Sequence, residues 1–113
     1  MASSVPNAQD FADRRVYPRV EVALPAFLEV AGERHSVLLL DLSPGGAKLN
    51  FAAVLPTGAQ VNLDCGTLAR PAVVRWQHGE FLGICFESEL DAREVSALVD
   101  RSNALAAFRK TRD

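Results

Sequence analysis

The sequence predicts a small antiparallel β-barrel of six strands that carries a C-terminal helix. Short apolar stretches alternate with a period of two, and turn residues separate them about every ten residues. Near residue 91 the apolar period changes to that of an amphipathic helix. A length of 113 residues suits one domain of this kind and excludes a two-domain enzyme.

The first strand is predicted from Val20 to Val30, because every even position there is apolar while Glu21 and Glu29 lie at odd positions. Such alternation buries one face of a strand. Pro25 lies at an odd position and has no N–H to donate to a neighbouring strand. We therefore expect a sheet edge or a β-bulge at Pro25.

Five further strands are predicted by the same alternation, and the turns between them contain glycine or proline. The second strand ends at a glycine turn, and the third returns beside it. In chain order these strands run from Ser36 to Leu42, Ala47 to Phe51, Val61 to Cys65, Ala69 to Trp76 and Phe81 to Phe86.

The C-terminal helix is predicted to begin at Asp91, because Asp91 and Glu94 have the spacing of a capping box. The apolar residues that follow share one helical face, which should pack on the barrel. Ser102 and Asn103 are poor residues for the middle of a helix, so we expect a bend or a restart there.

The overall charge limits the classes of partner. Twelve Lys and Arg face 14 Asp and Glu, so an anionic ligand must be held by a local arginine cluster and nucleic acid is disfavoured. No apolar run approaches the roughly 20 residues of a membrane span. Residues 1–13, which we interpret as a flexible tail before a domain of residues 14–113, do not resemble a signal peptide. We expect a cytoplasmic protein without membrane insertion.

Catalytic and metal chemistry are weakly supported. Cys65 and Cys85 are too few for a disulfide framework, and we expect both to be reduced core thiols. Together with His35 and His78 they show none of the short spacings of a metal site. A hydrolase built from Ser43 and a histidine would lack the GxSxG elbow. We expect no enzyme, no metal and no cofactor.

Trp76 ends the predicted fifth strand and has two interpretations. It could be a stacking platform for bases, as on barrels that bind nucleic acid. An aromatic residue at the end of an apolar strand is more often a packing residue of the core or its rim, and we favour that interpretation.

Three arginines lie within six residues just before the first strand: Arg14, Arg15 and Arg19. A guanidinium can hold a phosphate, or the O6/N7 edge of guanine, through two parallel hydrogen bonds, which a lysine cannot. Pro18 biases Tyr17 toward an extended backbone and so restricts this arm. A solvated basic tail would have the same composition, so the cluster alone leaves both interpretations open.

A second candidate cluster lies in the turn between the second and third strands. Asp41 and Ser43 point to the same face of an extended strand, so a carboxylate and a hydroxyl can meet one ligand edge. Gly45 or Gly46 would permit a positive φ and a close approach of the ligand to the backbone. Ordinary hairpin turns also contain these residue types.

Taken together, the two clusters resemble the PilZ domain family of bacterial cyclic di-GMP receptors. Arg15 and Arg19 match the motif RxxxR, and Asp41, Ser43 and Gly46 match DxSxxG. This pairing is far more specific than either cluster alone.

The resemblance extends from about residue 14 to residue 108. Val74-Arg75-Trp76 is similar to the V-x-W element of the family, and Gly83 to Phe86 is similar to its G-x-x-F element. The family fold is a six-stranded antiparallel barrel with a C-terminal helix, in agreement with the apolar periodicity of this chain.

The resemblance implies a receptor for cyclic di-GMP. Its arginines would hold phosphates and guanine edges and stack on the bases, while Asp41 and Ser43 would contact guanine from the barrel surface. Arg14 matches a variable family position, where an arginine is associated with two intercalated ligand molecules per chain. Ligand binding would order the arginine arm, and an unidentified downstream protein would sense that ordering. We expect the chain itself to be a monomer.

Two other functions fit the sequence less well. Some family members with degraded motifs act as protein adaptors without nucleotide, but all five motif positions are intact here. A small RNA-binding barrel is disfavoured by the net charge of -2 and by the lack of interleaved basic and aromatic residues along the strands.

Overall fold

A computed structural model describes residues 19–112, and the side chains as far as residue 108. It confirms the predicted six-stranded antiparallel barrel with one C-terminal helix. The elements are β1 (Val20–Val30), β2 (Glu33–Ser43), β3 (Gly46–Asn50), β4 (Gln60–Asp64), β5 (Ala69–His78), β6 (Phe81–Phe86) and α1 (Ala92–Arg112).

The strands close in the order β1-β2-β3-β6-β5-β4, and every neighbouring pair is antiparallel. The apolar positions predicted from the alternation face inward, as with Leu24 and Leu28 of β1, which have no solvent exposure. All six strands contribute buried side chains to the interior. Because these side chains fill the barrel, a ligand has to bind at the outer surface or at the rim.

The largest departure from the predicted boundaries is at β2, which starts at Glu33 rather than Ser36. Ala31 and Gly32 both have positive φ, 51° and 84°, and form a tight two-residue turn that lets β1 and β2 pair to their ends. The charged residues at the start of β2 are exposed, so the apolar pattern does not extend to them.

Pro25 lies at a position of β1 where, among the residues described, no neighbouring strand needs its missing backbone N–H. The β1–β2 register shifts between Glu21 and Leu24, just before the proline. On its other side, β1 pairs with β4 only from Phe27 to Glu29, so Pro25 lies beyond that ladder. Pro25 pairs with Leu38 of β2 at a position whose N–H points to the other side, where β1 has no partner strand at this residue within the described part of the chain.

The predicted capping box of α1 is confirmed. The Asp91 N–H donates to Glu94 Oε1 at 2.9 Å, and the Glu94 N–H donates to Asp91 Oδ1 at 2.8 Å. These bonds satisfy backbone donors that the first turn of a helix leaves open.

The predicted restart near Ser102 is wrong, because α1 is continuous from Ala92 to Arg112. Ser102 is only 7% exposed, and its Oγ accepts the Ala23 N–H of β1 at 2.9 Å. Ala23 lies within the register shift of β1, so the serine satisfies a donor displaced from the ladder. This contact outweighs the low helix propensity of serine, which costs only about 0.5 kcal/mol.

Candidate functional site

A groove of about 290 Å³ opens on the outside of the barrel at the β2–β3 turn. It contains residues of the predicted DxSxxG motif, the arginine that precedes β1, and parts of β5 and β6. The lining residues are Arg19, Ser43, Gly45, Gly46, Ala47, Arg75, Trp76, Gly83, Ile84 and Cys85.

Arg19 and Asp41 form an ion pair beside this groove. Arg19 Nη1 donates to Asp41 Oδ1 at 3.1 Å, and the side chain of Arg19 is 50% exposed while that of Asp41 is 16% exposed. The carboxylate thus anchors the guanidinium through one of its N–H donors, while half of the Arg19 side chain is exposed. A pair this exposed contributes only about 0–1 kcal/mol, so a ligand can rearrange it cheaply.

Ser43 is the last residue of β2 and is half-buried. Its Oγ donates to the Gly46 carbonyl oxygen at 3.4 Å, which is long for an O–H···O hydrogen bond. The hydroxyl is therefore weakly held and can turn toward a ligand in the groove.

Gly46 has a packing role that the sequence did not indicate. Neither Gly45 nor Gly46 has a positive φ, so the left-handed backbone that glycine permits is not used at this turn. Gly46 pairs with Cys85, and a Cβ at Gly46 would overlap the carbonyl oxygen of Ile84. Glycine is needed there because β3 and β6 approach closely. At Gly45 the nearest atom to a Cβ would be Glu89 Oε2, at 3.9 Å.

Trp76 does pack, but on the outside of the barrel. Its indole lies across Gly83 of β6, where a Cβ would overlap the ring. The residue remains 38% exposed and lines the groove. The expectation of a packing role is thus met at the rim, while part of the ring stays accessible to a ligand.

Arg75 is a groove residue that the sequence reasoning missed. The β5–β6 register shifts between Val74 and Trp76, so Arg75 and Trp76 are exposed one after the other. The available signal was the V-x-W element itself, which contains Arg75 between two recognised residues.

The two cysteines differ from each other. Cys65 is a core thiol as predicted, and burial raises its pKa to about 11. Cys85 is also a free thiol, but the predicted core position is wrong for it, because it is only half-buried and lines the groove. Cys85 lies on the part of β6 that faces Gly46.

The other two arginines of the predicted site, Arg14 and Arg15, lie outside the described residues. The structure brings together the remaining predicted residues: Arg19, Asp41, Ser43, Gly45 and Gly46.

Neither histidine can act on Ser43. His35 is eight residues away on the same strand, a distance of about 26 Å at strand geometry. His78 pairs with Phe81 at one end of β6, whereas the end of β6 near Ser43 is at Cys85. These two ends are four residues, or about 13 Å, apart. In the part of the chain that the structure describes, no cluster of His, Cys, Asp or Glu could hold a metal ion. Over the same residues, no helix is long and apolar enough to cross a membrane.

Comparisons with known proteins agree with this architecture. The Bacillus subtilis inhibitor of motility MotI/DgrA is 21% identical, with a TM-score of 0.60 over 84% of this chain and 52% of its own. Borreliella burgdorferi PlzA, solved in complex with c-di-GMP, is 18% identical, with a TM-score of 0.56 over 78% of this chain and 40% of its own. At these identities the likeness shows the fold, and this chain spans about half or less of each protein.

A comparison with curated proteins finds no match. The sequence model of the PilZ domain, in contrast, matches residues 13–103, which include the arginine cluster, all six strands and most of the helix. Its match covers well over half of the chain and agrees with the barrel and with the groove that the two motifs form. This protein therefore belongs to the PilZ domain family.

Proposed function

We propose that this protein is a receptor for cyclic di-GMP whose bound form is recognised by a downstream protein. The observation that carries the proposal is the groove, which Arg19 and Ser43 of two separate motifs line while Asp41 holds Arg19 from beside it. PilZ domains are generally non-catalytic receptors. The structurally similar PlzA was solved with c-di-GMP bound.

The groups in the groove suit the chemistry of guanine and phosphate. Guanine presents N1–H and N2–H donors to a carboxylate and an O6/N7 acceptor edge to an arginine fork. Asp41 uses Oδ1 to hold Arg19, and among the residues described its Oδ2 accepts no hydrogen bond. Asp41 can therefore keep Arg19 in place and accept from guanine as well. Adenine presents the opposite pattern of donors and acceptors at these positions.

Trp76 and Arg75 extend this site in the proposal. The exposed part of the indole offers an aromatic surface, and base stacking on an aromatic residue contributes about 1–3 kcal/mol per base. Arg75 brings a second guanidinium to the same groove. The dianionic ligand would then lie between cations on both sides.

Arg14 and Arg15 complete the proposed site from the N-terminal arm. Two stacked ligands bring four phosphates close together, and a third guanidinium offsets their repulsion. We therefore propose two cyclic di-GMP molecules per wild-type chain, with Arg14 setting that number. Closure of the arm over the ligand would be the event that the partner senses.

Calorimetry with cyclic di-GMP and cyclic di-AMP tests the proposal. Arg19→Ala should weaken cyclic di-GMP binding by about 10- to 100-fold, since hydrogen bonds to charged groups contribute about 1.5–3 kcal/mol. Arg93→Ala is the matched control, because Arg93 is an exposed arginine on the first turn of α1. It removes the same charge and should leave the affinity unchanged.

Several outcomes would contradict the proposal. Equal affinity for the two nucleotides would refute the reading of guanine by Asp41. No binding at all would favour an adaptor that works without nucleotide. A single ligand on the wild-type chain, or an unchanged number in Arg14→Leu, would refute the role of Arg14. Hydrogen exchange at residues 14–19 that does not slow with ligand would refute closure of the arm.

A further inference from the structure

The first half of β2 has an open side. β2 has 11 residues and β3 only five, and the β2–β3 pairing extends only from Leu39 to Ser43. From Glu33 to Leu38, β2 pairs with β1 on one side alone within the described part of the chain. The closed barrel therefore carries a short stretch of exposed strand edge at the end opposite the candidate nucleotide groove.

The backbone groups of this edge point outward. In an antiparallel pair, hydrogen-bonded and non-hydrogen-bonded positions alternate from the hairpin turn onward. By this alternation Arg34 and Ser36 direct both N–H and C=O away from β1. Leu38 follows the same rule, because its N–H donates to Asn50 Oδ1 at 2.9 Å on the side of β3.

A fixed wall faces this edge across a cleft of about 540 Å³. After β3 the chain turns toward the β5–β6 hairpin, where Phe51 N donates to the Glu80 carbonyl at 2.7 Å. Gln77 Nε2 donates to the Ala53 carbonyl at 2.6 Å, and Gln77 Oε1 accepts the Leu55 N–H at 2.8 Å. These bonds fix the wall, and its Phe51 ring lies edge-on to His35 of β2 with 5.2 Å between ring centroids, so the cleft is built into the fold.

The surroundings of the cleft are acidic. Glu33 and Glu80 are exposed beside it, and Arg34 already bridges Glu29 at 3.0 Å and Asp64 at 3.1 Å. The Gly66 N–H and Arg34 lower the pKa of Asp64, so its carboxylate stays ionised at neutral pH.

Glu29, Asp64 and Glu80 thus outnumber Arg34 around the cleft, while Glu33 faces His35 at 3.7 Å. Two copies of this surface would repel each other, whereas a cationic strand would be attracted.

We propose that the β2 edge from Arg34 to Ser36 binds an extended basic segment of a partner protein, which adds to the barrel as another strand. Hydrogen bonds to the outward backbone groups would hold the segment, and the acidic rim would select lysine or arginine side chains. Ser36 lies seven residues, or about 23 Å, from Ser43 along β2, so this surface and the nucleotide groove can be occupied together.

Fluorescence anisotropy of the full-length protein with the labelled peptide Lys-Val-Lys-Val-Lys-Val-Lys tests this proposal. Ser36→Pro removes the outward N–H and should weaken binding about tenfold or more, whereas Ser36→Ala keeps that N–H and should bind like wild type. Amide exchange at Arg34 and Ser36 should slow when the peptide is added. Cyclic di-GMP binding should be the same in both variants.

A second comparison keeps the test decisive if Ser36→Pro does not fold. The wild-type protein is titrated with the same peptide N-methylated at its central valine, which has the same charge but fewer donors. Equal binding of both peptides, or equal binding of a Glu-Val peptide, would overturn strand addition by a basic segment. The proposal would also be overturned if sedimentation showed that the wild-type protein is a dimer and that Ser36→Pro is a monomer, since a second copy of the chain would then occupy the edge.

Discussion

Replacing Gly46 by alanine tests the close approach of β3 and β6 beneath the candidate site. The new Cβ would overlap the Ile84 carbonyl oxygen, which is part of the β3–β6 ladder and cannot rotate away as a side chain could. Relief requires the first rungs of that ladder to open, and overpacking of this kind costs about 1–3 kcal/mol. Reduced freedom of the unfolded chain returns about 0.4–1 kcal/mol. The expected net loss of stability is about 1–2 kcal/mol.

Gly45→Ala is the matched control, because it adds the same methyl group one residue earlier. Its Cβ would meet only Glu89 Oε2 at 3.9 Å, and the backbone of Gly45 lies outside the left-handed region. We expect Gly45→Ala to stabilise the fold by about 0.4–1 kcal/mol through the unfolded chain. The two variants should therefore change stability in opposite directions.

Urea unfolding followed by circular dichroism measures both changes, and thermal melts should show Tm shifts of about 4–8 °C per kcal/mol for a domain of this size. Calorimetry would show whether opening the ladder also weakens cyclic di-GMP binding at the neighbouring turn. If Gly46→Ala proved as stable as Gly45→Ala, the role given to Gly46 would be refuted.

The remaining predictions concern the core and the thiols. Ser102→Ala should lower the free energy of unfolding in urea by about 1–2 kcal/mol, because it leaves the Ala23 N–H without its acceptor. Ser96→Ala is the control at an exposed helix position and should keep the stability of the wild type. Equal stabilities of the two variants would contradict this prediction. Because burial raises the pKa of Cys65 to about 11, the protonated thiol contributes its full stability below pH 9 and loses it as the pH rises from about 9 to 11. The free energy of unfolding should therefore fall by up to about 2–3 kcal/mol over this range. A Cys65→Ala variant with the same dependence of stability on pH would refute this prediction. Ellman's reagent should label the folded chain at Cys85 before Cys65, and equal labelling rates would contradict the burial of Cys65.

Local pattern was enough to predict the elements of the fold. The alternation in β1, the glycine turns and the capping box at Asp91 each depend on residues a few positions apart, and all are present in the structure. The pairing of the arginine arm with the β2–β3 turn was implied by the resemblance of the two motifs to the PilZ domain family. Arg19 and Asp41 are indeed in contact, although they are 22 residues apart.

The errors fall where distant residues alter the local pattern. Arg75 escaped prediction because the register shift on β5 exposes Arg75 and Trp76 in succession, with Trp76 against Gly83. A one-residue shift reverses the face of every later side chain. Ser102 likewise looked like a helix breaker because its partner, Ala23, lies 79 residues away.

The sequence by itself therefore determined the strands, the helix and the residue types of the two candidate motifs. Only the tertiary structure decided which surface each residue serves: Gly46 meets β6, Arg75 and Trp76 reach the groove, and Ser36 is left on an open edge. The physical reason is that periodicity reports which side of one strand is buried. Bulges, strand lengths and close backbone approaches depend instead on how neighbouring strands meet, and those strands are far apart in the chain.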